Sequence, residues 1–403
     1  MPGRRRVATA VTRKRILIPG VSSDAGLGMI RQLAESGYEV MGADWQRLPL
    51  GLHSRYLGDV RLLPKLTDSG FGKCLVDLVR AARPHAFVPL GTTTVAIACR
   101  EAMLLKNYTS FAIPDYDAYM AAFDKTLCTG ECRELGIPCP ATYSPEEAVD
   151  ILKERRDGTT LVVKPGTDAG MASGVEYVRH ADRLRESVSS CMNRYGSVTV
   201  QEYVPGDAVH MHTAALLFDR QSELIAAFTT QKLRQWPTTG GVTALSRSTD
   251  AYHLVEQVLP FFRKWQWKGA AEVEFKYDAR DGRYKVIEIN PRFPAYLRFA
   301  MCCGLPLARL SAEIALADAR IAPLQYPSYA VGRKFVNPGL FLRTTIEEMR
   351  GSSCRLSTLG KSMRDLSGTG QAFMGMLNDP LPVLGRLLLD LQNLRKHSRR
   401  GSG

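Results

Sequence analysis

The 403-residue chain has no apolar run approaching the roughly 20 residues that a membrane-spanning helix needs, which excludes a helical membrane protein. The apolar stretch VATAV, after the first arginine cluster, is too short for the core of a secretory leader. A cysteine framework is missing as well. The nine cysteines are an odd, scattered set, and the tightest group, Cys128, Cys132 and Cys139, has neither a paired C-x-x-C nor a nearby histidine. That excludes a zinc module and a disulfide scaffold and leaves reduced thiols of a cytoplasmic protein. Acids are absent from residues 1–15 and 391–403, which hold six and four Lys/Arg, so most of the +13 formal charge sits in two tails. A basic body for nucleic acid is therefore excluded; the tails read as solvated ends, with weak contact to anionic lipid or polyanion as the other reading. Internal repeats, low-complexity tracts and a Gly-Lys-Ser/Thr phosphate loop are also lacking, and no Ser/His/Asp order is evident. The length exceeds one ordinary core, so two or three domains are expected.

The most informative stretch is 270–292, AAEVEFKYDARDGRYKVIEINPR. Glu272, Glu274 and Lys276 alternate with Val273, Phe275 and Tyr277, which is strand period. Asp281-Gly282 is turn chemistry. Residues 286–290 alternate again, with Ile287 and Ile289 on one face and Glu288 and Asn290 on the other. If the two runs pair antiparallel, Glu274 and Glu288 share a face. Two carboxylates and an amide oxygen on rigid backbone suit a hard divalent cation, and Arg292 beside them suits a phosphate. The competing reading is a half-exposed hairpin with a solvated face, which leaves the opposed acids without a cation.

At Glu274 and Glu288-Ile-Asn290-Pro-Arg292 the chain resembles the ATP-grasp superfamily, specifically its carboxylate–amine ligases of the carbamoyl phosphate synthetase-like and D-aspartate ligase-like kind. The resemblance implies ATP and Mg²⁺, two ions, with Mn²⁺ also compatible, held by Glu274, Glu288 and Asn290. It implies that Arg292 stabilises the transferred phosphoryl group. It places Lys125, which opens a helix, and Lys164, which ends a strand, on the nucleotide phosphates. The glycine-rich segment after Lys164, with Gly170, Ser173 and Gly174, would lay backbone N–H groups over the phosphates. Main chain from Glu202 through Tyr203 to Val204 would meet the adenine edge, with the Glu202 carboxylate on the exocyclic amine. Asp207 or His210 would hold the ribose, and Asp207 could equally cap a turn. Lys232 and Arg234, ahead of the Gly240-Gly241 pair, would close on the γ-phosphate and acyl phosphate, or else form a basic rim. Arg298 would pair a substrate carboxylate or sit on a helix surface.

The expected fold is α/β, becoming α+β in the ATP-grasp part: a Rossmann-like pre-ATP-grasp domain followed by a two-lobed ATP-grasp domain. The divisions are a basic tail over 1–13, the pre-ATP-grasp domain over 14–115, a small lobe over 116–200 and a large lobe over 201–320. A C-terminal region of unclear role covers 321–390, with a helix over 381–394, and a basic tail covers 391–403. In the first domain, residues 15–19 read as a buried parallel strand and 20–28 as a glycine-containing loop into a helix. By resemblance Ser22, Ser23, Asp24 and Thr92 would help hold the acid substrate; helix capping explains them nearly as well. A helix over 249–265 should pack behind the hairpin.

The activity implied is ATP-dependent joining of a small carboxylic acid to an amine through an acyl phosphate, releasing ADP and phosphate. The partners are those small molecules, with a homodimer as an added expectation. Three other readings stand beside it: carboxyphosphate or carbamoyl phosphate chemistry on bicarbonate, a protein that binds ATP without turnover, and a nicotinamide-dependent oxidoreductase built on Gly20, Gly26, Gly28 and Asp44. The G-x₅-G-x-G spacing makes the last a weak match to a dinucleotide fingerprint.

Overall fold

The computed structural model describes residues 13–46, 50–154, 158–167, 173–317, 320–351, 354–369 and 379–382. Three sheets organise them. The first is parallel, in the order β3-β2-β1-β4: β1 (Arg15–Pro19), β2 (Glu39–Asp44), β3 (Asp59–Leu62) and β4 (Ala86–Phe87). It carries α1 (Asp24–Glu35), α2 (Phe71–Ala82), α3 (Thr92–Arg100) and α4 (Ala102–Leu105). The 20–28 stretch, expected as a loop, is mostly helix. The Ser23 hydroxyl accepts from the Gly26 N–H at 2.9 Å and starts α1 at Asp24. The oxidoreductase reading loses its acid: Asp44 is fully buried, and its two oxygens accept from the Ser22, Trp45 and Gln46 N–H groups.

Helices α5 (Tyr116–Phe123) and α6 (Lys125–Glu134) lead to a small antiparallel sheet, order β5-β8-β6-β7. Its strands are β5 (Thr142–Tyr143), β6 (Leu161–Lys164), β7 (Glu176–Val178) and β8 (Thr199–Glu202), covered by α7 (Pro145–Glu154) and α8 (Ala181–Tyr195). Val149, Leu161, Val163, Leu184 and Val200 give this unit its own core. The helices α5 and α6, expected with it, pack elsewhere: Ala118, Ala122, Cys128 and Cys132 join the core of the third sheet.

That third sheet is antiparallel with six strands, β13-β12-β9-β10-β11-β14. They are β9 (Met211–Phe218), β10 (Leu224–Trp236), β11 (Val242–Thr249), β12 (Gly269–Asp278), β13 (Arg283–Asn290) and β14 (Lys334–Val336). Behind it α9 (Tyr252–Lys264) buries Leu254, Val258, Phe261 and Phe262 against Val273, Phe275 and Val286, as its apolar stripe requires. Helices α10 (Leu297–Cys302) and α11 (Leu307–Leu316) tie the first sheet to the third, since Leu297, Phe299 and Leu310 share a core with Ile16, Ile18, Leu217 and Phe228.

The C-terminal region is structural at least in part. Strand β14 extends the large sheet, and α12 (Pro338–Gly351) and α13 (Arg355–Leu366) follow. Buried Asp379 accepts from the Ser54 hydroxyl at 2.5 Å, fastening the chain back to the first domain. The helix expected over 381–394 lies almost wholly outside the described residues. Among the described residues no helix is long and apolar enough to cross a membrane.

Candidate active site

The hairpin forms as its alternation implied. Strands β12 and β13 pair with Glu274 opposite Glu288 and Glu272 opposite Asn290, so four polar side chains make a two-by-two block on one face. Between Glu274 and Phe275 the register shifts, because β13 carries an extra residue. The bulge turns Ile287 into the cavity beside Glu288 while Val286 and Ile289 stay in the core, so Ile287 and Ile289 do not share a face.

Above this block lies a cavity of ≈ 770 Å³, walled by the small and the six-stranded sheets, by α12 and by the start of α1. That is room for a nucleotide-sized ligand with a second molecule. Lys125, from the first turn of α6, reaches Glu288 at 3.5 Å. Lys164 is buried at the end of β6. Lys232, on β10, donates to Glu274 at 3.1 Å and to the Gly241 carbonyl at 3.3 Å. That close approach needs glycine at 241, where a Cβ would sit 2.2 Å from the Trp236 carbonyl oxygen. Arg292 holds Glu272 at 2.5 Å and the Phe293 carbonyl at 3.0 Å. Every carboxylate of the block therefore faces a cation from a different element.

Electrostatics follow from that arrangement. Burial alone would raise Glu288, but Lys125, Lys164 and the Asn290 amide, which donates to it at 3.1 Å, pull its pKa to about 2. Glu272 is shifted upward by burial, against the pull of Arg292 and with a further push from Glu274. Burial lowers Lys164 to about 8; Glu288 offsets part of this and Lys125 adds to it. In the free protein Lys164 thus loses its proton as pH rises through about 8, whereas a phosphate binds the protonated form. ATP affinity is expected to fall about tenfold per pH unit above that point, with proton uptake on binding. Calorimetry at pH 9 in buffers of different ionisation heat checks this, and Lys164→Ala should both weaken binding and remove the pH dependence.

The donor set fits a hard divalent cation. Glu274, Glu288 and Asn290 offer only oxygen ligands, at a place where lysine ammonium groups already serve as the counter-charge. Among the described residues no three His, Cys, Asp or Glu side chains cluster as a metal site, so a cation here would complete its shell from phosphate oxygens and water.

Other expected residues fall on either side of the cavity wall. Ser173, Tyr203 and Val204 line it, as do Ser23 and Asp24. Gly174 sits just behind, with φ +77 and a Cβ position 2.5 Å from the Tyr195 ring, so only glycine fits. Gly170 lies outside the described residues. Glu202 lines the cavity, but its carboxylate is already engaged by the Ala141 N–H at 3.1 Å, Lys285 at 3.3 Å and Arg280. The exocyclic-amine role is therefore not what its geometry offers; it clamps β8 to the hairpin through buried Asp278, which Lys285 meets at 2.7 Å. Asp207 caps a short turn through the Val209 N–H and holds His210 Nδ1 at 2.8 Å; neither lines the cavity. Ser22 and Thr92 also stand outside it.

Arg234 is the clearest departure. A strand keeps residues two apart on one face, but β10 shifts register on both sides of Arg234. Lys232 and Gln235 line the cavity, while Arg234 turns to the opposite side and bonds Ser362 and Glu348. Arg298 is neither on the surface nor in the cavity: it pairs with Asp24 at 3.6 Å and lies over Phe335. Glu272, which positions Arg292, was not singled out, although its alternation with Glu274 was the available signal. Lys276, which lines the cavity over the Tyr203 ring, had the same signal.

A cleft with opposed carboxylates, three lysines and an arginine is of the kind that suits phosphate groups together with a divalent cation. Residues 122–295 match the ATP-grasp domain family, and the chain carries an ATP-grasp domain there. It is similar to the carbamoyl phosphate synthase large chain of Thermotoga neapolitana, 22% identical over 419 residues, covering 93% of this chain and 35% of that protein. It is also similar to D-aspartate ligase of Enterococcus faecium, 23% identical over 253 residues, covering 58% of this chain and 59% of the relative. The chain thus spans about a third and under two thirds of these relatives' lengths. In fold it is like biotin carboxylase from Campylobacter jejuni, with a TM-score of 0.65 at 16% identity, over 80% of this chain and 74% of that one.

Proposed function

We propose that the protein is an ATP-dependent ligase that joins a small carboxylic acid to an amine. The observation that carries this reading is the in-register pair Glu274 and Glu288, met from two elements by Lys125 and Lys232, with Lys164 lining the same cavity. On this reading the first sheet is a pre-ATP-grasp domain, and the small and large sheets are the two lobes between which the nucleotide lies.

Lys125 and Lys164 hold the phosphates nearest the nucleoside, and main chain at Tyr203 and Val204 meets the base. Glu274, Glu288 and Asn290 would hold Mg²⁺, which when bound would supply neutralisation of the phosphate charge. Lys232 and Arg292 face the transferred group; Glu272 keeps Arg292 in place. A substrate carboxylate oxygen forms a bond to the γ-phosphorus as the bond to ADP breaks. The amine then bonds the acyl carbon, phosphate departs with the C–O electron pair, and the surplus proton passes to solvent. Such chemistry rests on positioning and charge neutralisation, with no covalent protein nucleophile. Tyr177, donating to the Thr239 carbonyl at 3.1 Å, closes β7 against the 236–241 turn and narrows the way in for water.

The test is phosphate and ADP release from ATP and Mg²⁺ with small acids alone, acids plus amines, and bicarbonate. Release that needs an acid, with an amide product when amine is added, supports the ligase. Release with bicarbonate but no organic acid moves the chemistry to carboxyphosphate formation. ATP binding with no release under any pairing overturns catalysis.

A further inference from the structure

Helix α13 is turned inside out. A surface helix ordinarily sets its apolar stripe against the core and its polar face in water. Here the buried side is polar: the Ser362 hydroxyl accepts from Arg234 at 2.9 Å and lies 3.3 Å from the Thr345 hydroxyl, and Asp365 meets Arg234 at 3.7 Å. Leu356, Leu359, Met363 and Leu366, spaced three, four and three residues apart, form one stripe on the outward side. Leu356 is 82% exposed and Met363 68%. The adjoining α12 is two-sided as well: Arg343 lines the cavity, while Leu342 and Ile346, one turn apart, are exposed. A single exposed leucine is ordinary, but six large apolar side chains on two packed helices mark a surface made to be covered.

The charges on these two helices are sorted too. The acids Glu347, Glu348 and Asp365 are half-buried and engaged, the first by the Thr238 hydroxyl at 2.6 Å and the others by Arg234. The exposed charges, Arg350, Arg355, Lys361 and Arg364, are all basic. An apolar stripe flanked by cations, with no exposed acid among the described residues of either helix, suits the headgroup layer of an anionic bilayer. We propose that α13 and the outer side of α12 dock this protein peripherally on an anionic lipid surface. Leu356, Leu359, Met363 and Leu366 enter the acyl boundary, and the four cations meet the lipid headgroups. Other occupants fit the charge less well. A second copy would set four cations against the same four of its symmetry mate. Residues 383–403 hold five Lys/Arg and one acid, so that segment also brings like charge. The acid-free ends, residues 1–15 and 391–403, add to the attraction of an anionic surface.

The experiment is co-sedimentation of the full chain with vesicles of phosphatidylcholine alone and with about a third phosphatidylglycerol, at low and high salt. Wild type should bind the anionic vesicles about tenfold or more tightly than the neutral ones, and salt should weaken that binding. Leu356→Gln combined with Met363→Gln keeps the charge and should lower binding about tenfold. Both side chains stand in solvent, so its thermal stability without lipid should match wild type. Arg355→Gln, Lys361→Gln and Arg364→Gln together should lower binding roughly 100-fold, about fivefold per charge. Failure of wild type to bind anionic vesicles overturns the proposal. Undiminished binding by the Leu356→Gln, Met363→Gln variant overturns it as well, because the basic ends alone then make the contact. A wild-type dimer in analytical ultracentrifugation that this variant splits assigns the face to a second copy instead. A fall in the variant's thermal stability without lipid assigns it to another segment of the chain. Binding is read without ATP turnover, so the result stands apart from the ligase reading.

Discussion

Glu288→Gln is expected to lower ADP release by about 10²–10³-fold or more while leaving the secondary structure unchanged. The substitution keeps the shape of the side chain and an oxygen to accept from the Asn290 amide. It removes the charge that Lys125 meets at 3.5 Å and that acts most strongly among the acids on Lys164. With its pKa drawn down to about 2, Glu288 is ionised at every assay pH, so the loss is not a matter of titration. Two effects should appear together. A cation loses half of its carboxylate pair, which removes turnover. Lys164, deprived of the charge that keeps its proton on, becomes neutral at lower pH, so the fall in nucleotide affinity shifts to below about 8. A pH series of nucleotide binding on wild type and variant reads the second effect, and single-turnover ADP release reads the first. Unchanged turnover removes Glu288 from the metal site; turnover lost with the binding midpoint unmoved separates the metal role from the lysine pairing.

The legible parts of the sequence are those where side-chain period and backbone agree. The hairpin could be read because strand alternation, a turn dipeptide and an acid on each strand all lie within 22 residues, and local register then decides which side chains meet. Lys125 and Lys164 were visible for a different reason: each closes or opens an element, at an Asp-Lys helix start and a Lys-Pro strand end. Reading failed where one extra residue changes the phase. A bulge costs no recognisable residue type, so the turning of Ile287 into the cavity and of Arg234 out of it left no mark in composition. It also failed where a polar residue has a partner far along the chain. The Glu202 carboxylate looked available until Arg280 and Lys285, some 80 positions away, were found on it. Ser246 was unreadable for the same reason in reverse: among the described residues its buried hydroxyl has no hydrogen-bond partner, which only three dimensions disclose. The strand β11 was missed because VTALSRST has little apolar contrast, and its pairing with β10 and β14 compensates.

Arg234→Met is expected to destabilise the protein by about 3 kcal/mol, close to a 100-fold change in the folding equilibrium, without altering nucleotide affinity. The guanidinium is 4% exposed; it meets Glu348 at 2.5 Å, Ser362 at 2.9 Å and Asp365 at 3.7 Å, and its centre lies 4.5 Å from the Phe341 ring centroid. Without it, two acids from α12 and α13 face one another over an apolar ring with no counter-charge. Their own partial exposure, 28% and 29%, keeps the loss at the lower end of the 3–5 kcal/mol typical of a broken buried pair. The damage should be local at first. Hydrogen exchange in α12 and α13 is expected to quicken while the hairpin and α9 stay protected. Neutralising the partners as well, with Glu348→Gln and Asp365→Asn, should recover much of the loss, since the penalty lies in stranded charge more than in missing attraction. The alternative, Arg234 on the γ-phosphate, gives the opposite pattern: turnover would fall by orders of magnitude with thermal stability unchanged. Because α12 also carries Arg343 and, through Glu347, receives the Thr238 hydroxyl at 2.6 Å, loosening it should raise KM for the carboxylate-bearing substrate before it affects ATP. A KM rise of that kind in Arg234→Met, with kcat unchanged at saturating substrate, would show the C-terminal helices acting as a rigid back to that side of the cavity.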